Sequence, residues 1–294
     1  IGIVIIALII LPFLRIGGMQ IFHLEGEDPY EKSLPKVSSV IKKIFSIYVV
    51  LTLILISLYY IFGMSFFDSV AHSFTTISTG GFSTHDQSFN FFQSDIILAI
   101  AILFMIIGSL PFLLLAQTTI KNLFVVFRDH QVRVFSYILI IAIMIIFYFA
   151  NIYIDGSFVH KIISVSFNTI SIISGTGYVS ENFENWGNYA SVLFLILMFI
   201  GGCAGSTTGG LKIFRFQILF KYIIMHLKKM IKPHKVMASN FNNKKIPENT
   251  YESVMSFFFI YIFTFALSAL LLSFSGLDFI TCISAAASSI SNVG

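Results

Sequence analysis

The sequence predicts an all-α polytopic membrane protein assembled from repeated helical units, and three observations predict it. The first is composition. Of 294 residues, 56% are hydrophobic and 11% are charged, with a mean hydropathy of +0.89. A soluble domain carries about 25% charged residues, so this chain could not cover a globule with polar surface. The second is segmentation. Apolar runs at 44–64, 96–116, 134–154 and 253–275 each lie near the ~20 residues a helix needs to cross a bilayer. A longer, interrupted run covers 190–227, and a shorter one covers 1–14. The third is a five-residue pattern, Ile-Ser-x-x-Gly, that recurs at 77–81, 173–177 and 290–294.

Charge orients the runs. The connections at 15–43, 117–133 and 211–252 hold every Lys and Arg except Lys161. The opposite connections hold Asp68, Asp86, Asp95, Asp155, Glu181, Glu184 and Asp278. The excess of positive charge in cytoplasmic loops puts the first set inside the cell. The basic stretch at 226–235 then reads as a loop beside anionic lipid rather than a nucleic-acid patch.

The acidic-side connections are more than loops. Each contains a Ser/Thr-rich apolar segment, at roughly 66–76, 158–172 and 277–289. These are too short to span and fit re-entrant helices. Each runs into one copy of the pattern, at spacings of 96 and 117 residues between the closing glycines. An aromatic residue, Phe82 or Tyr178, follows the first two. The unit is therefore a spanning helix, a short pore helix, a Gly-containing filter segment and a second spanning helix. The expected division is 1–24 as the last helix of a first repeat and 25–133 as a second repeat. Residues 134–235 form a third, and 236–294 a partial fourth. Four units around a pseudo-fourfold axis complete the arrangement, as in a K+ channel. The expectation is that the first filter strand and the final helix lie outside this chain.

Such a unit suits a cation. Non-helical backbone at membrane depth must line a cavity or be buried in protein. Filter segments around one axis would aim carbonyl oxygens at a common line, replacing the water shell of an ion. Glycine in the fifth position permits the turn, and the C-terminal ends of the short helices point partial negative charge at the ion. No Asp or Glu falls within the three patterns, so carboxylate rings are not the selecting element. The candidate K+ ligands are Ser78, Thr79, Gly80 and Gly81; Ser174, Gly175, Thr176 and Gly177; and Ser291, Asn292, Val293 and Gly294. The outer carboxylates would concentrate cations at the mouth.

The run at 190–227 is broken by Gly-Gly-Cys-Ala-Gly-Ser-Thr-Thr-Gly-Gly at 201–210. Each glycine costs a helix interior about 1 kcal/mol relative to Ala, and the run is too long for one crossing. A small polar loop beneath the filter is expected to act as a gate, through Gly202, Cys203, Ala204, Gly205, Ser206 and Thr207. The bland alternative is a close helix-packing motif of small residues.

Other chemistries find no support in the residues. The stretch at 205–212 lacks the Gly-Lys-[Ser/Thr] ending of a phosphate loop. Cys203 and Cys282 give neither a disulfide framework nor metal-ligand spacing. The seven histidines show no paired-ligand pattern, and His72, beside a pore helix, reads as a packed residue. No enzyme activity, cofactor or transition metal is expected.

Several motifs together resemble the TrkH/KtrB family of potassium transporters. They are Leu-Pro-Phe-Leu-Arg-Ile-Gly-Gly-Met-Gln at 11–20, the stretch from His72 to His85, and the broken helix at 201–212 with Arg215. Ser-Asn-Val-Gly at 291–294 completes the set. The resemblance covers essentially the whole chain and is closer to the TrkH branch. It implies K+ as the transported ion, filter strands at 78–81, 174–177 and 291–294, and a gating loop near 202–207. It further implies a bacterial cytoplasmic (inner) membrane protein, homodimerisation and a cytoplasmic nucleotide-binding regulatory subunit. The reading that competes is a Na+- or H+-coupled secondary symporter with discontinuous helices.

Overall fold

The computed structural model describes residues 34–117, 126–231, 240–241, 244–246 and 248–293. The helix expected at 1–14, the motif at 11–20 and Gly294 lie outside the described residues.

The element order follows the predicted unit. Helix α1 (Leu34–Ile61) precedes a short α2 (Phe66–Ile77), then α3 (Asp95–Gly108) and α4 (Phe112–Gln117). Helix α5 (His130–Ala150) precedes a short α6 (Phe158–Ile173), then α7 (Asn188–Met198) and α8 (Ile213–Ile231). Helix α9 (Glu248–Ser273) precedes a short α10 (Phe279–Ser291). Segments 42–61, 130–150 and 249–273, of 20, 21 and 25 residues, are long and apolar enough to cross a membrane. At about 1.5 Å per residue, 20 residues reach the ~30 Å of a hydrocarbon core. Large apolar side chains point outward from them, among them Leu53, Ile140, Ile141, Phe259 and Phe263. That surface would be costly in water and matches lipid.

Packing repeats along with sequence. Helix α1 packs on α2, α5 on α6 and α9 on α10, so each long helix lies against its own short one. Helix α3 packs on α6, and α7 on α10, so each second helix supports the short helix of the following unit. This head-to-tail order carries the chain around a common centre. Buried Phe104, Met105, Phe135, Val165, Phe167, Trp186 and Phe194 fill the space between units.

Two findings differ from the sequence reading. The run at 96–116, expected to be one crossing helix, is broken. Ser109 caps α3, Pro111 begins the next turn, and α4 follows. Proline clashes with the carbonyl four residues before it and supplies no N–H, so the helix stops where Gly108-Ser109-Leu110-Pro111 allows it. The connection between α8 and α9 also carries a small antiparallel pair, β1 (Asn240–Phe241) with β2 (Lys244–Lys245). Buried Phe241 anchors it edge-to-face against Phe214 of α8, with ring centroids 4.9 Å apart.

Candidate functional site: three matched helix ends above an intramembrane loop

The three short helices are built alike at both ends. At the start, Ser65, Ser157 and Asp278 each accept a hydrogen bond from the N–H three residues on, at Asp68, His160 and Thr281. Such a cap contributes about 0.5–2 kcal/mol and fixes where the helix begins. At the end, Gly80 N donates to Thr75 O (2.7 Å), Thr176 N to Ser171 O (2.9 Å) and Val293 N to Ser288 O (3.0 Å). In each copy the residue before that donor lies in the left-handed region, with φ of +51° at Thr79, +70° at Gly175 and +57° at Asn292. A six-to-one bond around a left-handed residue is the Schellman ending. It turns the chain sharply out of the helix.

The sequence reading assigned the special conformation to the fifth position, where Gly81 and Gly177 do have φ of +72° and +80°. It missed the third position. Gly175 and Asn292 are residues that favour a left-handed turn; Thr79 is not. A β-branched residue there costs about 1–2 kcal/mol. Thr79 Oγ1 instead bonds Ser78 O at 2.7 Å and Thr207 Oγ1 at 3.3 Å.

Thr207 belongs to the loop that breaks the α7–α8 run. The neck of that loop is closed by Gly201 N donating to Leu211 O (2.8 Å) and Ile213 N to Gly202 O (3.1 Å). The loop fills the break after α3: Cys203 N donates to Ser109 O, Thr207 N to Gly108 O and Phe112 N to Gly205 O, at 3.0–3.2 Å. The two helix interruptions thus satisfy each other's backbone groups, as buried polar backbone requires. Gln131 Oε1 accepts from Ala204 N (3.1 Å), and the Lys212 ammonium bonds the Thr208 carbonyl and hydroxyl and reaches Ser206 Oγ. These are contacts that sequence spacing does not announce.

The loop also meets the three Ile-Ser-x-x-Gly segments. Thr207 Oγ1 lies 3.1 Å from Ile77 O and 3.0 Å from Gly108 O. A methyl on Gly209 would fall 2.4 Å from Ser291 O, and one on Gly175 would fall 3.5 Å from Gly209 N and 3.3 Å from Asn292 O. Residues 207–209 therefore touch the base of all three described segments. Of the candidate loop residues, Gly202 and Cys203 are buried against the α3–α4 break, Ala204 packs in the cluster around Phe214 and Ile218 of α8, and Gly205, Ser206 and Thr207 form the turn toward the Ile-Ser-x-x-Gly segments. Among the candidate filter residues, Thr79, Ser174, Thr176 and Ser291 are at most 1% exposed; Ser174 and Thr176 bond each other, Thr79 reaches Thr207, and Ser291 bonds Tyr261 of α9.

The outer side is more tied up than the charge pattern suggests. Asp68 is buried, accepting from Ser65 Oγ (2.7 Å) and Thr84 Oγ1 (2.5 Å). His72 is fully buried, with its ring nitrogens 2.8 Å from Asp68 O and 2.9 Å from Ser83 Oγ. Asp95 and Glu181 share one partner: His160 Nδ1 is 2.6 Å from Asp95 and Nε2 is 3.0 Å from Glu181. Both nitrogens can donate only in the imidazolium form. The hydrogen bond to Asp95 raises the His160 pKa most strongly; partial burial opposes it, and Glu181 adds to it. A raised pKa means stabilisation that is full below about pH 6.5 and lost as pH rises through the higher folded value. Heat stability of the purified protein should therefore fall as pH rises above about 6.5, and His160→Gln should remove that component. An identical pH profile in the variant would refute the bridge.

Among the described residues, no group of three or more His, Cys, Asp or Glu is arranged to hold a metal ion. Both cysteines are buried.

Comparison with known proteins agrees with this architecture. A potassium uptake protein of the Trk system, TrkI from Halomonas elongata, is 37% identical over the whole chain and over 60% of its own length. The Trk system potassium uptake protein TrkH of Escherichia coli K12 is 34% identical, over 62% of its length. The crystal structure of the potassium transporter TrkH from Vibrio parahaemolyticus superposes with a TM-score of 0.86 at 30% identity, covering all of this chain and 60% of that one. The chain thus spans about 60% of the length of these relatives. The pattern of a cation transport protein, TrkH, matches residues 1–294. The repeated capped half-helices, the loop beneath them and that full-length match lead to one assignment: this chain belongs to the TrkH family of cation transport proteins.

Proposed function

We propose that this chain forms most of a potassium-uptake pathway in a bacterial cytoplasmic membrane. Ions pass a filter of backbone carbonyls from 78–81, 174–177 and 291–294, and the loop at 202–207 gates the pathway from the cytoplasmic side. The observation that carries this reading is the contact of Thr207 and Gly209 with the three filter bases. A loop in that position blocks an ion leaving the filter unless it moves. One charge crossing 100 mV is worth about 2.3 kcal/mol, so an inside-negative cell draws K+ inward without chemistry on this chain. A homodimer and a cytoplasmic nucleotide-binding regulator complete the proposal. The repeat boundaries near 24, 133 and 235 follow from the same reading.

The full-length protein should rescue a bacterium without its own potassium uptake at low external K+, and Na+ should not substitute. In flux measurements, Thr207→Val removes the loop hydroxyl at nearly constant volume. One hydrogen bond is worth about 0.5–1.5 kcal/mol net, so K+ flux should rise roughly two- to tenfold with ion preference unchanged. No rescue despite membrane insertion and a co-expressed regulator would sink the reading, and unchanged flux in the variant would sink the loop's gating role.

A second reading, Na+- or H+-coupled symport, is favoured by the paired breaks after α3 and α7, since discontinuous helices build coupled sites. K+ uptake that stops without Na+ or a proton gradient would select it.

A further inference from the structure

Two aromatic residues follow the filter glycines at matching positions, and they go opposite ways. Phe82, after Gly81, is 78% exposed, whereas Tyr178, after Gly177, is 1% exposed. The Tyr178 ring lies against Phe89, with centroids 4.3 Å apart. Its hydroxyl enters the α2 helix of the other unit. There it lies 2.5 Å from Thr75 Oγ1, 3.1 Å from Thr76 Oγ1 and 3.2 Å from His72 O. This joins residues about 100 positions apart.

Thr75 in turn holds the exit of its own filter segment, donating to Phe82 O at 2.9 Å. The matching residue 96 positions on, Ser171, donates to Tyr178 O at 2.8 Å. Each short helix therefore fixes the carbonyl just beyond its filter glycine through a hydroxyl at the same place. Proton accounting links the two. A threonine hydroxyl has one hydrogen. Of the carbonyls in its reach, Phe82 O at 2.9 Å is nearer than Ala71 O (3.2 Å) or His72 O (3.3 Å). With the hydrogen given to Phe82 O, Thr75 Oγ1 accepts from Tyr178, whose own hydrogen finds it at 2.5 Å and His72 O only at 3.2 Å. The phenol thus orients Thr75 toward Phe82 O at the exit of segment 77–81, and the chain Tyr178 to Thr75 to Phe82 ties the outer ends of two segments together.

We propose that Tyr178 is a specificity-positioning residue: its hydroxyl, through Thr75, braces the outer ends of segments 77–81 and 173–177 at a fixed separation. This rests on the reading of those segments as a K+ filter. Carbonyl rings discriminate between ions by cavity size and by the number and field strength of their dipoles. A brace that resists collapse onto a smaller ion acts on preference rather than on total flux.

The test is the K+/Na+ flux ratio of the full-length protein in reconstituted vesicles. Tyr178→Phe should lower the ratio about three- to tenfold while K+ flux stays within twofold. Thr75→Val, which keeps volume and removes the relay oxygen, should do the same. The double variant should be no worse than either alone, since both break one chain. Tyr59→Phe is the control. It removes a hydroxyl 3.2 Å from Thr76 Oγ1 without touching Thr75, and should leave the ratio unchanged. A wild-type ratio in both Tyr178→Phe and Thr75→Val overturns the brace while leaving the filter reading intact. Additive losses in the double variant, or an equal loss in Tyr59→Phe, reduce Tyr178 to packing and also overturn it. If the wild-type protein itself does not prefer K+, the filter reading fails and the brace fails with it. Should Tyr178→Phe not accumulate in the membrane, Thr75→Val decides alone.

Discussion

Replacing Gly177 with serine should lower the K+ over Na+ preference of the full-length protein by about tenfold. Gly177 sits at φ of +80°. An L-residue forced there costs about 1–2 kcal/mol, and each 1.4 kcal/mol corresponds to about a factor of ten. The neighbours cannot absorb the change. Gly177 N donates to Ser171 O, Thr176 N donates to the same carbonyl, and Tyr178 is locked in its pocket. The remaining freedom is rotation of the peptide planes at 176–178, which would swing their carbonyls away from the ion path proposed above. Gly81→Ser should do less, although its φ is +72°. Phe82 beyond it is exposed and can move with the turn. Vesicle flux with K+ and Na+ measures both. Unchanged preference in Gly177→Ser would remove 174–177 from the filter.

The largest effect on stability should come from Gly201→Ala. A methyl there would stand 2.3 Å from Gly209 O and 3.2 Å from Leu211 O. Both are backbone atoms of the loop neck, and the same residue donates to Leu211 O. No rotamer relieves such a clash, so the neck must open, and with it the contacts to Ser109, Gly108 and Phe112. Overpacking costs about 1–3 kcal/mol and more where backbone must move. Here the cost should exceed about 3 kcal/mol. It would be read as a lower unfolding midpoint in detergent or lost membrane yield. Gly276→Ala is the comparison. Its added methyl would meet open space, so only the φ of +75° opposes it. Equal stabilities for the two variants would mean the neck is not closed as described.

How much was legible depends on whether a feature is local. The short helices were legible because a Ser/Thr-rich apolar segment too short to span, closed by Ile-Ser-x-x-Gly, can be read within twenty residues. The predicted 66–76, 158–172 and 277–289 became Phe66–Ile77, Phe158–Ile173 and Phe279–Ser291. The break at 201–210 was legible because five glycines in ten residues deny a helix. The smaller break at 109–111 carried its own signal, Pro111 after Gly108-Ser109, but a hydropathy window averages one proline away. The left-handed turn at the third position was half legible. Gly175 and Asn292 advertise it, and Thr79 conceals it, because only its placement above Thr207 compensates for the strain.

What the sequence determined by itself was therefore the membrane class, the threefold recurrence of half-helices and the glycine loop, since each follows from side-chain transfer energy or backbone torsion over a short stretch. What only the tertiary structure decided was which of these meet. The pairing of the loop with the α3–α4 break, the His160 bridge between Asp95 and Glu181, and the burial of Tyr178 where Phe82 is exposed all join residues 21 to 103 positions apart. Local chemistry fixes what a segment can become, and the partner it finds depends on how the whole chain fills space around the shared axis.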